Sequence, residues 1–282
     1  MHIIKRFIDL KRYLNVRQKR SPSQIIGFVP TIGALHEGHL SLIKESCDGF
    51  DISICSIFVN PTQFGESNDL KKYPKPIEKD IELLINNGCD VLFLPSVEEV
   101  YPATYTHRNF DLGGVDLVFE GKSRVGHFQG VCNVIYRFFD QIKPHKAYFG
   151  KKDFQQTVVV KKLVEITKLK TTVCVVPIKR EPNGLAMSSR NIRLSDNGRK
   201  KASFINESLK LIENNFREIG LSNSVDLAKK HILKNENAKL DYLVVVEKDT
   251  LRGVETYENK KLVVLTAVNY EGVRLLDNII LD

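Results

Sequence analysis

The sequence of 282 residues contains no uncharged apolar run approaching the roughly 18 residues that a membrane-spanning helix needs, which excludes an integral helical membrane protein. It has no G-x-x-x-x-G-K-[ST] segment, so a P-loop enzyme is excluded, and no G-x-G-x-x-G, which argues against a dinucleotide site. Cysteines are few and odd in number: Cys47, Cys55, Cys89, Cys132 and Cys174 are widely spaced, with no C-x-x-C pair for a zinc ribbon or a thioredoxin-type centre. Buried free thiols in a reduced, cytoplasmic setting are the expectation. There is no arginine-rich tract and no basic stripe interleaved with aromatics. The formal net charge of +8 would suit nucleic acid, a membrane surface or a small anionic substrate. The missing stripe sets nucleic acid and membrane aside, and Lys161-Lys162 and Arg199-Lys200-Lys201 read as solvated helix faces.

What is present is an ordinary globular composition, 42% hydrophobic and 27% charged, with no repeat or low-complexity tract. The first twenty residues are basic and amphipathic, and a helix there would carry Ile3, Ile4, Phe7, Leu10 and Leu14 on one face. Its low serine content and the strand-like run that follows favour an integral helix over a presequence. Apolar runs at 25–29, 52–59, 91–94, 147–149 and 172–176 read as strands, alternating with helical patterns at 38–47, 77–88 and 130–142. That alternation predicts an α/β parallel sheet covered on both faces. Beyond residue 178 a long helix following Ser195, a second at 223–234 and apolar runs at 242–246, 261–268 and 273–280 predict a smaller α+β domain with a mostly antiparallel sheet. The boundary falls between 1–178 and 179–282.

The first chemical constellation is FVPTIGALHEGHLSLI at 28–43. A strand, a glycine-containing turn and a helix start in succession place backbone N–H groups and a partial positive charge where a phosphate binds. His36 and His39, three residues apart, flank Gly38. H-x-G-H in this setting is the signature of nucleotidyltransferases that activate an acid with ATP, although a surface turn with two solvated histidines has the same letters.

Four further blocks follow. IFVNPTQF at 57–64 sets Asn60 and Gln63 at a strand end, where neutral amides suit a substrate bearing hydroxyl and carboxylate groups, and where Asn-Pro also makes a simple turn. EGKSRVGHFQGV at 120–131 brings Glu120, Arg124 and His127 into a glycine-punctuated loop, functional or merely an ion-paired surface. FGKKDFQQ at 149–156 offers Gly150, Lys152, Asp153, Gln155 and Gln156 at another strand end, with Asp153 equally suited to cap a helix. GLAMSSRN at 184–191 carries two hydroxyls and a guanidinium after a glycine, able to close over phosphates or to cap a helix.

In this order the five blocks resemble the pantothenate synthetase family. That family writes P-T-M-G-A-L-H-x-G-H, F-V-N-P-x-Q-F, E-G-x-x-R-P-G-H-F-x-G-V, F-G-x-K-D-x-Q-Q and G-L-A-x-S-S-R-N, and the likeness resumes weakly near LLDNII at the C-terminus. The resemblance implies a Rossmann-like nucleotidyltransferase domain with a C-terminal lid, and a cytoplasmic homodimer. It implies that pantoate is joined to β-alanine with ATP and Mg²⁺ through a pantoyl adenylate. By motif position, Ile32, Gly33, Ala34, Leu35, His36, Glu37, Gly38 and His39 would line the ATP site. Gly150, Lys151, Lys152, Asp153, Lys179, Met187, Ser188, Ser189 and Arg190 would join them. His36, His39 and Lys152 would serve catalysis at the phosphates. Gln63 and Gln156 would hold pantoate, with Asn60 beside them. No residue is assigned to a metal.

The chain departs from the family pattern at Ile32 for Met, Val125 for Pro, Asn133 for Thr, Lys151 for Glu and Asn183 for Asp. None of these removes a polar group assigned to catalysis. Two rival classes remain open. An aminoacyl-tRNA synthetase would share H-x-G-H but should add an anticodon-binding module and K-M-S-K-S. An inactive binding protein on the same scaffold would not need His36, His39, Gln63, Lys152, Ser188, Ser189 and Arg190 together.

Overall fold

A computed structural model describes residues 1–48, 52–64, 70, 73–257 and 261–281. It divides into two compact units: residues 1–150 with 155–176, and residues 151–154 with 177–282.

The first unit is built on a six-stranded sheet in the order β1-β4-β3-β2-β5-β6. The strands are β1 (His2–Ile4), β2 (Ile26–Thr31), β3 (Ile52–Ile57), β4 (Val91–Phe93), β5 (Lys146–Gly150) and β6 (Thr172–Val176), and every pairing is parallel. The main helices are α1 (Phe7–Arg20), α2 (Glu37–Cys47), α3 (Ile77–Asn86), α4 (His127–Ile142) and α5 (Phe154–Thr167). β3 is buried along its whole length, which is why ISICSI reads as an unbroken apolar run rather than an alternating one. On β2 the alternation of side chains sends Phe28 to one face and Val29 to the other. Phe28 meets Phe138 of α4 edge-on at 5.7 Å, and Phe7 of α1 stacks at 4.8 Å from Phe93. Val29 joins Leu42 and Ile43 of α2 and Leu84 of α3 in a second cluster.

In the second unit, β7 (Ala238–Glu247), β8 (Leu262–Tyr270) and β9 (Val273–Leu281) form an antiparallel sheet in sequence order. Helices α6 (Phe204–Ile219) and α7 (Leu221–Leu233) complete it. Leu209, Ile212 and Phe216 of α6 share one core with Val264, Val268 and Leu275 of the sheet.

The parallel sheet followed by a separate antiparallel one agrees with the expected fold class. Three details differ. Ile3 and Ile4 are not on the first helix: they form β1 against β4, and Ile3 is half exposed. Three residues are too short a run for periodicity to separate from a helix turn. α4 starts at His127, three residues earlier than its pattern suggested, because Gly126 in a left-handed conformation ends the preceding loop. Ser195 does cap a helix through its hydroxyl and the Gly198 N–H, but that helix spans only Asp196–Lys201 before α6 starts anew. Among the described residues no helix is long and apolar enough to cross a membrane.

Candidate active site

The strand order turns back at β2. The chain runs β2, β3, β4 to one side and then places β5 on the other. Ligands of open parallel sheets bind beyond the carboxyl ends of the strands at such a reversal. The segments that leave these ends are the ones singled out in the sequence: 32–39 after β2, 58–64 after β3, and Gly150 at the end of β5.

After β2 the chain turns sharply. Gly33 and Ala34 have φ of +84° and +53°. A Cβ at Gly33 would lie 3.1 Å from Ile57 Cγ2 and 3.2 Å from Asp80 Oδ2, so conformation and space both call for glycine. Thr31 Oγ1 donates to the Ser56 carbonyl and accepts the Gly33 N–H. Asp80 of α3 closes the turn: its two carboxylate oxygens accept the Ala34 and Leu35 N–H groups, each at 2.8 Å. Ala34 and Leu35 therefore have buried side chains and N–H groups committed to Asp80. Burial pushes the Asp80 carboxyl above its ordinary range, and the two N–H bonds pull against that shift.

His36 then caps α2. The Gly38 N–H donates to His36 Nδ1 at 3.1 Å, and the His36 N–H donates to His39 Nδ1 at 3.3 Å. The two rings lie 4.1 Å apart, tilted by 41°. Since both Nδ1 atoms accept, each neutral ring carries its proton on Nε2. The helix N-terminus thus presents a pair of imidazole N–H donors together with its own partial positive charge. This is chemistry for an anion, fixed by local sequence.

At the end of β3, Asn60 is completely buried. Its Nδ2 donates to Gln63 Oε1 and to the Gly130 carbonyl, both at 3.1 Å, while Oδ1 accepts from Thr62 and from Tyr101 at 3.0 Å. Burial raises the Tyr101 phenol to about 12, which keeps it a donor. Asn60 therefore orients the Gln63 amide. A Cβ at Gly130 would collide with the Thr62 carbonyl, so the close approach of α4 to this turn requires glycine. His127 Nδ1 lies 2.7 Å from the Gln63 carbonyl and Nε2 lies 3.1 Å from Arg124 Nη1. A carbonyl only accepts and a guanidinium only donates, so these contacts specify the Nδ1–H tautomer. The two glutamines of the next block part company. Gln155 is buried and spends its amide on Glu120 N, Val115 O and Val118 O, whereas Gln156 is half-buried in the first turn of α5.

The second unit holds Lys151, Lys152 and Asp153 in a single 3₁₀ turn, with Lys152 Nζ 3.2 Å from Asp153 Oδ1. It also holds the arm 179–193. The Met187 N–H donates to the Lys179 carbonyl at 3.0 Å, and Ser188 caps the 3₁₀ turn Ser189–Arg193. Glu181 accepts from Asn191 and from Arg199. Asn183 donates to the Arg199 and Lys200 carbonyls, a role its carboxylate counterpart could not fill. Ile32, Met187, Ser188, Ser189 and Arg190 are half-buried, and Glu37 and Lys179 are exposed. Asn133 accepts from Tyr105 and Arg108 N and donates to Arg108 O, fastening the 105–108 loop to α4, and Val125 is 85% exposed. Asp80, Tyr101, Asp277 and Asn278 were not singled out in the sequence. Only Asp277 and Asn278 lay in a recognisable block, LLDNII.

The profile of the pantoate–β-alanine ligase family matches residues 2–280. The chain belongs to that family. A pantothenate synthetase from Acetivibrio thermocellus is 42% identical over the full length of both chains, and one from Thermotoga petrophila is 41% identical, also end to end. The crystal structure of pantothenate synthetase from Thermus thermophilus is 35% identical, superposes with a TM-score of 0.91 and covers 99% of each chain. Pantoate–β-alanine ligase from Francisella tularensis, described as complexed with β-γ ATP and β-alanine, is also 35% identical. It has a TM-score of 0.78 and covers 99% of this chain and 97% of its own. Pantoate–β-alanine ligases thus supply the fold of both units, and the five sequence blocks all lie within the matched span.

Proposed function

We propose that this chain condenses pantoate with β-alanine at the expense of ATP, through a pantoyl adenylate. The observation that carries this reading is the pair of Nε2–H donors at the N-terminus of α2, set at the reversal of the sheet. A pantoate carboxylate oxygen forms a bond to the α-phosphorus while the bond from that phosphorus to the bridging oxygen of pyrophosphate breaks. The nitrogen of β-alanine then attacks the acyl carbon, AMP leaves with the anhydride oxygen, and the amine proton passes to solvent. Neither step needs a nucleophilic side chain. Both need fixed donors and cations around developing phosphate charge.

In this reading His36, His39, Lys152, Ser188, Ser189 and Arg190 bind the phosphates, and His39 acts as an electrostatic donor rather than a proton source. Gln63 and Gln156 orient pantoate, and Asn60 acts through Gln63. Gly33, Gly38, Gly150, Lys151, Asp153, Lys179 and Met187 complete the nucleotide contacts. Mg²⁺ enters with ATP as part of the substrate. The reading extends to a cytoplasmic homodimer. Products identify the reaction: incubation with MgATP, pantoate and β-alanine should release AMP and pantothenate. Release of ADP would replace the adenylate by an acyl phosphate, and turnover of a proteinogenic amino acid in place of pantoate would move the chain to the synthetase class.

A further inference from the structure

Asp277 and Asn278 are consecutive residues of β9, opposite Thr266 and Leu265 of β8, and both are buried. Consecutive strand residues project to opposite faces, so the pair reaches two different segments of its own unit. Asp277 binds Arg180 in a two-pronged ion pair, at 2.7 and 2.9 Å. The same guanidinium donates to the Gly184 carbonyl at 3.0 Å. Arg180 also forms a bridge with Ala186 across the turn, directly before Met187 and Ser188. Asn278 donates both hydrogens of its Nδ2 to the carbonyls of Lys151 and Lys152, each at 2.9 Å. Its Oδ1 is buried with no hydrogen-bond partner among the described residues, so the amide is held through its NH₂ alone. The two side chains are themselves linked, because the Asn278 N–H donates to Asp277 Oδ1 at 2.8 Å. Burial pushes the Asp277 carboxyl above its ordinary range, and the Arg180 guanidinium, the Asn278 N–H and the Lys152 ammonium pull against that shift.

We propose that Asp277 and Asn278 are a positioning pair that sets Lys152 and the Ser188–Arg190 loop in fixed register for the phosphates of ATP. The inference rests on the proposed function, which assigns those two segments to the nucleotide. Neither residue touches substrate. Asn278 acts by fixing the backbone on both sides of the Lys152 Cα, and Asp277 by holding Arg180 and, through it, the turn that precedes Ser188. Asparagine is the residue this task requires: an aspartate would set a carboxylate against two carbonyl oxygens and lose both donors.

The test is a double-mutant cycle on pantoate-dependent adenylation, with Asn278→Ala and Lys152→Ala alone and combined, and folding checked by circular dichroism. Asn278→Ser, which keeps one donor, provides a milder second variant. Asn278→Ala should raise the KM for ATP about tenfold or more and leave the KM for pantoate unchanged, as expected when a binding group loses its orientation. Asn278→Ser should fall between the two. On a Lys152→Ala background the further loss from Asn278→Ala should be within about twofold, because the two residues act as one. Full additivity, or equal changes in both KM values, would overturn the positioning role while leaving the proposed function standing. Wild-type activity in Lys152→Ala would remove the assignment of Lys152 to ATP and this inference with it.

Discussion

Replacement of Asp80 by alanine tests how the turn before the histidine pair is held. The substitution removes the acceptor of two buried N–H groups, those of Ala34 and Leu35, 46 and 45 residues away in sequence. A hydrogen bond to a charged group contributes roughly 1.5–3 kcal/mol. The relief of a carboxylate that is 1% exposed and disfavoured by burial offsets part of the sum. A net loss of about 3 kcal/mol follows, which for a unit of this size lowers Tm by roughly 6–12 °C. Gly33 and Ala34 would then be free to leave the left-handed region, and the start of α2 would shift with them. Adenylation should fall about 10- to 100-fold, the usual consequence of misplacing binding groups by an ångström. Thermal unfolding and pantoate-dependent pyrophosphate exchange measure the two effects. Asp80→Asn adds a check of sign. The folded carboxyl is raised, so it holds its proton over a window in which the unfolded one, at about 4, is ionised. The stability advantage of wild type over Asp80→Asn should therefore be greatest below that window and decline as pH rises through it. An Asp80→Ala protein with unchanged Tm and exchange rate, or an advantage over Asp80→Asn that grows with pH, would refute the reasoning.

Three further outcomes are expected. His39→Ala should slow adenylation on the order of 10²-fold or more, as for other lost transition-state donors. It should cost only about 1 kcal/mol of stability, because one cap of α2 is lost with it; a near-normal rate would dismiss the phosphate role. Gln63→Ala should weaken pantoate binding in calorimetry and leave ATP binding intact, and the reverse pattern would exchange the two sites. Burial raises the Cys89 and Cys132 thiols to about 12 and pushes the Cys55 thiol well above its ordinary value. A thiol reagent at pH 8 should therefore reach these three only after unfolding, and their rapid modification in the native protein would contradict the core described above.

The legible parts of the structure are those whose physics is local. β2 and β3 were readable because strands buried on both faces are runs of apolar residues, and α2 because a strand, a glycine turn and H-x-G-H follow within a dozen positions. β1 was not, since a three-residue strand with an exposed isoleucine looks like one turn of the helix that follows. The break between Lys201 and Phe204 was hidden because Ala202 and Ile205 continue the buried face across it. Within the candidate site, the histidines and glutamines announced themselves by type and spacing. Their supports did not. Asp80 sits where an acid merely favours the start of a helix, and only the folded chain reveals that it accepts from the histidine turn. Asn278 lies more than a hundred residues from the lysine segment it holds. Asn60 was readable as a site residue, but its complete burial, and hence its action through Gln63, became apparent only when Tyr101 and Gly130 closed around it.

The central claim, that the acid is activated as an adenylate, is tested most directly by isotope exchange. An adenylate forms without the amine. With MgATP and pantoate present and β-alanine absent, the enzyme should therefore exchange labelled pyrophosphate into ATP, and omission of pantoate should abolish the exchange. Pantothenate formation with β-alanine present but no pantoate-dependent pyrophosphate exchange in its absence would contradict the account.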